Sequence, residues 1–255
     1  MLMALTRGVS PAIVRCELTH LARTPIDVAV ARAQHAAYEQ CLSEMGCTVH
    51  RLSAGADMAD SVFIEDTAVV FDEVAVVTRP GAPSRRCETP DVADALSPYR
   101  PIRAIQAPAT LDGGDVLVVG RDVFVGRSTR TNDAAIDQMK EILEPYGYTV
   151  RDLSITGCLH LKSAVTALAD DVLLANPAWV RSDELRRFRV IAVDPSELFG
   201  ANALRVGRTI VYPAACPLTR GRIEQCGFDV VPVDLSETAK AEGGVTCCSL
   251  IFETK

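Results

Sequence analysis

Apolar, largely β-branched residues along this chain come in short runs, set in pairs around polar or glycine-containing turns. Val69-Val70-Phe71 and Val74-Ala75-Val76-Val77 flank Asp72-Glu73, and Val116 to Val119 and Val123 to Val125 flank Gly120-Arg121-Asp122. Val165 to Ala169 and Val172 to Leu174 flank Asp170-Asp171; Leu204 to Val206 and Ile210 to Tyr212 flank Gly207-Arg208. Such pairs predict β-hairpins. Each hairpin is followed by a helix-like stretch. The clearest is Asn132 to Leu143, where Ala135, Ile136, Met139, Ile142 and Leu143 recur at helical spacing and Pro145 lies just beyond the end. Each helix then leads to a short strand: Ile102 to Ile105, Thr149 to Leu153, Val190 to Val193 and Val230 to Val233.

Hairpin, helix and strand therefore recur as a unit, at a spacing of about 40 to 50 residues. The N-terminal segment fits as a fifth, split unit with a helix from Val28 to Met45 and a strand from Thr48 to Leu52. The final apolar run, Thr246 to Phe252, is expected to pair with an N-terminal strand near Ala12 to Val14. That pairing would close a ring and remove exposed sheet edges. An ordinary α/β sandwich with evenly spaced elements is the alternative. No Ser/Gly-rich linker or charge block divides the 255 residues, so one domain spanning 1–255 is expected.

Composition narrows the function. Hydrophobic residues make up 48% and charged residues 23%, enough for a large core. A formal net charge of −7 argues against nucleic acid or an anionic membrane as partner and would steer a small cationic substrate inward. No apolar run reaches the length of a membrane span, and the apolar start Met1 to Leu5 is too short for a signal-peptide core, so a cytoplasmic protein is expected. The nine cysteines show no CxxC or Cys-His ligand spacing, which argues against a zinc site. Most should be small buried hydrophobes, and the question is whether one reacts.

Four segments carry unusual polar residues at the ends of apolar strands. In Asp60-Ser-Val-Phe-Ile-Glu65-Asp66, a strand would turn Glu65 and Asp66 to opposite faces, one of them inward toward a cation; a solvated strand end is the alternative. Leu111-Asp112-Gly113-Gly114-Asp115 allows close backbone approach or positive φ, and otherwise reads as a turn. In Leu159-His160-Leu161-Lys162-Ser163 a strand-like alternation would put His160 and Lys162 on one face, His160 being either an acid/base or a hydrogen-bonded structural residue. In Gly243-Gly244-Val245-Thr246-Cys247-Cys248 the adjacent cysteines would face opposite ways, so at most one enters a given pocket. Arg85-Arg86 follows Gly81-Ala82-Pro83. Arg130 stands where the best helix begins, a place suited to a carboxylate. Together Cys, His and a carboxylate, with extra acids and arginines, describe hydrolysis at the central carbon of an arginine-like substrate.

These segments, in this order, resemble the dimethylarginine dimethylaminohydrolases, a family of the guanidine-modifying (pentein) superfamily. The resemblance rests on Asp60 to Asp66, Thr78 to Arg86, Thr110 to Val116, Arg130 to Asn132, Leu159 to Lys162 and Thr246 to Ser249. It implies an α/β fold, a five-bladed αβ propeller of pseudo-symmetric ββαβ units. It also implies Cys247 as nucleophile, His160 as general acid/base and Asp112 as the carboxylate orienting it. Asp60, Glu65 and Asp66 would surround the guanidinium and substrate amine. Arg85 and Arg130 would stand at the amino-acid end, Arg130 touching the carboxylate. Leu18 would belong to a lid from Cys16 to Arg23, and Ala241 would line the site. The resemblance implies a small-molecule substrate, no metal and no organic cofactor, and homodimers are common among such folds. An arginine deiminase and a silent arginine-binding pentein are the neighbouring alternatives. A papain-like protease fails because its cysteine precedes its histidine.

Overall fold

The computed structural model describes residues 1–254, apart from the side chains of Ser182 and Glu184. The chain opens with β1 (Leu2–Arg7), makes a 3-10 turn over Pro11–Arg15, and enters α1 (Val28–Glu44) before β2 (Thr48–Leu52). The Asp27 carboxylate caps α1 by accepting from the N–H groups of Ala29 and Val30. The helix buries Ala31, His35, Tyr38 and Leu42, a stripe at helical spacing that faces the core.

Three further units follow the predicted order closely. The first is β3 (Ala68–Val70), β4 (Ala75–Val77), α2 (Thr89–Leu96) and β5 (Ile102–Ala104). The second is β6 (Val116–Val119), β7 (Asp122–Arg127), α3 (Asp133–Leu143) and β8 (Thr149–Ser154). Asn132 caps α3 through Ala135 N–H. The third opens with a single helical turn, α4 (Leu161–Ala164), then β9 (Val165–Ala167), β10 (Val172–Ala175) and β11 (Arg189–Ala192). Here the expected helix after the hairpin is reduced to a 3-10 turn at Ser182–Leu185. Pro177 opens that stretch, and Val180 is drawn into an extended bridge with Ile155, so no helix can start early enough to lengthen.

The fourth unit is β12 (Leu204–Val206), β13 (Thr209–Pro213), α5 (Pro217–Gln225) and β14 (Asp229–Val233), and the chain ends with α6 (Ser236–Ala239) and β15 (Ser249–Glu253). The strands form five separate three-stranded sheets, each an antiparallel pair extended by a parallel third strand. This is the five-bladed αβ propeller. The ring closes as expected, but not with the expected strand. β15 pairs with β1, Leu250 opposite Leu5, whereas Ala12 to Val14 lies in the 3-10 turn. Pro11 supplies no N–H, and Ser10 Oγ accepts from Ala12 N, so this segment turns instead of extending. The short apolar start of the chain is the closing strand.

The inner strands β3, β6, β9, β12 and β15 line an axial cavity with residues such as Val69, Leu117, Thr166, Leu204 and Leu250. At one end this cavity meets an ion pair between Lys162 and Glu65. The polar loops that immediately precede the inner strands gather beyond it, and they carry the candidate site.

Candidate active site

A narrow cleft is lined by Asp60, Asp66, Arg85, Asp112, Arg130, His160, Ala241 and Cys247, together with Glu17, Phe63, Leu159, Glu242 and Gly243. Eight of the sequence-derived residues thus meet at one place. Leu18 and Glu65 do not line it. Leu18 packs against the apolar cluster around Tyr38 and Ile13. Glu65 turns to the axial cavity, where Lys162 and Thr246 Oγ1 donate to its carboxylate.

His160 is buried at the start of α4, not on a strand, so it and Lys162 part company. Its Nε2 lies 3.0 Å from Asp112 Oδ2, and Nδ1 is 3.8 Å from Asp66 Oδ1. Gly81 N–H holds the other Asp112 oxygen at 2.8 Å. Burial works against a charged imidazole, but Asp66, the bond to Asp112 and the charge of Asp115 outweigh it, and the pKa rises to about 9. His160 therefore carries its proton at neutral pH. The glycines of Asp112-Gly-Gly-Asp115 serve close approach: a Cβ on Gly114 would come within 2.7 Å of His160 Nδ1 and 2.8 Å of Asp66 Oδ1. Asp115, unassigned by sequence, holds this loop together by accepting from Leu161 N, Ser128 Oγ and Thr131 Oγ1.

Glu65 and Asp66 lie in a 3-10 turn, Ile64–Thr67, and not in a strand; both are buried. The tighter turn winds them toward different parts of the interior instead of placing one outside. Asp66 is met by Arg85 and by Gly114 N–H at 3.0 Å. Burial raises its pKa, but His160 and Arg85 more than reverse that and bring it to about 2. Asp60, buried with fewer partners, is pushed up to about 6. Arg85 lines the cleft from among acids. It is bound to Asp66, to Glu88 and to the carbonyls of Asp60 and Phe63. A guanidinium so committed braces the acidic loop. Arg130 is the half-exposed arginine of the cleft, with Nη2 donating to Thr19 Oγ1 at 3.3 Å.

Cys247 and Cys248 lie in the turn just ahead of β15 and nevertheless part as expected. Cys247 Sγ faces the cleft and accepts from Gly244 N–H at 3.3 Å; Cys248 is fully buried in the core cluster with Tyr38. Burial, with Glu65 and Asp66 near, raises the Cys247 thiol well above its ordinary value. The thiol is therefore protonated at neutral pH. Tyr38 steadies the turn by donating to Val245 O at 2.9 Å, and Glu65 N–H donates to Cys247 O at 3.1 Å.

Over the cleft lies the segment 16–23. Glu17 N–H donates to both Asp60 oxygens at 3.2 Å, and the Glu242 carboxylate accepts from the N–H groups of Thr19, His20 and Leu21. Sequence reasoning missed Glu242, Glu17, Phe63 and Leu159. All four stand within one to three positions of named residues, Glu17 beside Leu18 in the lid segment, which was the available signal. Asp66, Asp112 and His160 also bring ligand-capable atoms within 4.8 Å of one another. Those side chains are already engaged by Arg85, Gly81 and each other, which suits a proton relay better than a metal ion.

The family described as N,N dimethylarginine dimethylhydrolase, eukaryotic, matches residues 22–253. The dimethylarginine dimethylaminohydrolase of Streptomyces coelicolor is 38% identical over 249 residues, covering 97% of this chain and 95% of its own. That of Pseudomonas aeruginosa is 36% identical over 228 residues, covering 89% and 90%. A solved structure of the Pseudomonas aeruginosa protein, a mutant complexed with citrulline, superposes with a TM-score of 0.94 at 34% identity over 98% of both chains. A dimethylarginine dimethylaminohydrolase adduct with S-methyl-L-thiocitrulline gives 0.93 at 34% identity, over 99% of this chain and 100% of that one. The N-terminal domain of ArgZ, at 19% identity and a TM-score of 0.85, shares the fold. No helix among the described residues is long and apolar enough to cross a membrane.

Proposed function

This chain belongs to the dimethylarginine dimethylaminohydrolase family of hydrolases, and from that premise we propose how its own residues, 1–255 acting as one catalytic domain, convert N-ω-methylated arginines to citrulline and a methylated amine. The observation that carries the reading is the meeting of Cys247, a protonated His160 and ionised Asp66 in one cleft. Asp66 and Asp60 receive the guanidinium, and the Arg130 guanidinium receives the substrate carboxylate. The incoming cation offsets the acids that hold the Cys247 proton, so the thiol releases that proton to solvent and the thiolate forms where the substrate is already bound.

The thiolate attacks the guanidinium carbon and forms a C–S bond. His160 gives its proton to the methylated nitrogen, whose bond to carbon breaks, releasing dimethylamine or methylamine and leaving an S-alkylthiouronium on Cys247. Neutral His160, oriented by Asp112, then takes a proton from water as its oxygen attacks the same carbon. The C–S bond breaks with its electron pair returning to Cys247, the hydroxyl proton restores the thiol, and citrulline leaves. The nine free thiols fit a reducing, cytoplasmic setting for this chemistry.

The test is citrulline release from arginine, monomethylarginine and asymmetric dimethylarginine given separately, with Cys247→Ser as the blank. Release from the methylated substrates alone is the expected result. Release mainly from arginine would make the protein a compact deiminase, and silence with all of them would remove the reading.

A further inference from the structure

Four of the five loops ahead of the inner strands deliver a residue that the mechanism uses: Asp66 before β3, Asp112 before β6, His160 before β9 and Cys247 before β15. The loop before β12 delivers Asn202, which has no part in the reaction as described. Asn202 is 7% exposed and bonded on every side. Its Nδ2 donates to Lys162 O and to Thr246 Oγ1, each at 3.0 Å, and its Oδ1 accepts from Thr246 N–H at 3.0 Å. Gly244 lies so close that a Cβ there would sit 2.4 Å from Oδ1.

Those contacts fall on two separate stretches of chain. Lys162 is two residues past His160; Thr246 directly precedes Cys247, and Gly244 provides the N–H that Cys247 Sγ accepts. The turn that holds Cys247 is outside any sheet ladder until Ser249, so its position rests on a few bonds: the backbone bond from Glu65 N–H to Cys247 O and the side-chain bonds of Tyr38 and Asn202. A planar amide offers donors on one side and an acceptor on the other, which an aspartate of the same shape does not.

We propose that Asn202 is a positioning residue whose single amide sets the separation of Cys247 from His160, tying the chain just before one to the chain just after the other. The inference rests on the reading of Cys247 as nucleophile. Because a misplacement of about 1 Å costs about 10²-fold in rate, the residue acts on kcat and not on the cradle that binds the amino acid.

The experiment compares Asn202→Ala and Asn202→Asp with wild type and with Asn176→Ala. Asn176 is a buried asparagine away from the cleft that donates to Leu198 O and accepts from Ala178 N–H. Turnover of asymmetric dimethylarginine, calorimetric affinity for citrulline and alkylation of Cys247 by iodoacetamide, read by peptide mass, are measured on each. The expected result is a loss of about 10²-fold in kcat for both Asn202 variants, with altered Cys247 alkylation, citrulline affinity near wild type and an unaffected Asn176→Ala. Should Asn202→Ala fail to fold, Asn202→Asp carries the test alone. Wild-type kcat in the Asn202 variants, or a fall in kcat and citrulline affinity together, would overturn the inference. An active Cys247→Ser enzyme would instead remove the nucleophile assignment, and this inference with it.

Discussion

A half-buried thiol beside Glu65 and Asp66 is a poor nucleophile until a cation arrives, so in the free enzyme Cys247 should alkylate slowly at neutral pH and faster as pH rises. Iodoacetamide inactivation followed from pH 6 to 10 checks this; a fast, pH-independent rate would mean a thiolate already formed. Turnover should fall at least about 10³-fold in Cys247→Ser and in His160→Ala, whereas Cys248→Ser, altering a buried neighbour, keeps most activity. A Cys248→Ser enzyme as silent as Cys247→Ser would reverse the assignment. His160 titrates at about 9 in the fold against an ordinary 6.5. The protonated form is thus favoured by folding: its stabilisation is full below 6.5 and is lost as pH rises through about 9. Melting temperatures measured across that window should decline in wild type, and the decline should flatten in His160→Asn. At this scale the motif residues were legible because their chemistry is rare in the chain. The partners of Arg85, Asp66 and Glu88, were not, since nothing in the sequence says which acids a given arginine will meet.

The elements were legible wherever the signal is local. Hairpin turns such as Asp72-Glu73 and the periodic stripe of α3 depend on neighbours within a few residues, and both formed as read. The 3-10 turn at Ile64–Thr67 and the helical turn at His160 were hidden because runs this short fit a strand equally well. The segment 16–23 is an element of a different sort, held by carboxylates more than by its own hydrogen bonds. Glu242 alone accepts three of its N–H groups. A Glu242→Ala variant should leave that segment open to limited proteolysis and raise KM for asymmetric dimethylarginine about tenfold, with less effect on kcat. Equal proteolysis of the variant and wild type would show that Asp60 and Arg130 suffice to hold it.

The ring as a whole depends on one long-range event, the pairing of β1 with β15, and no local pattern announces which N-terminal residues take part. Leu5, 1% exposed in a cluster with Ile64, Leu96 and Leu250, stands at that closure. Leu5→Ala should destabilise the protein by about 2 to 5 kcal/mol in urea unfolding, and a change within about 0.5 kcal/mol, typical of surface sites, would mean that the closing blade is dispensable.

At that closure the Met1 carbonyl accepts from Thr254 N–H at 2.8 Å. A circle of like parts closed by β1 against β15 has no privileged starting point. Joining Thr254 to Met1 through a short glycine linker and reopening the exposed turn at Gly207-Arg208 would yield a circular permutant in which Cys247 comes before His160 along the chain. If that permutant still releases citrulline, the histidine-then-cysteine reading order, which separated this chain from papain-like proteases, is an accident of where the circle was cut.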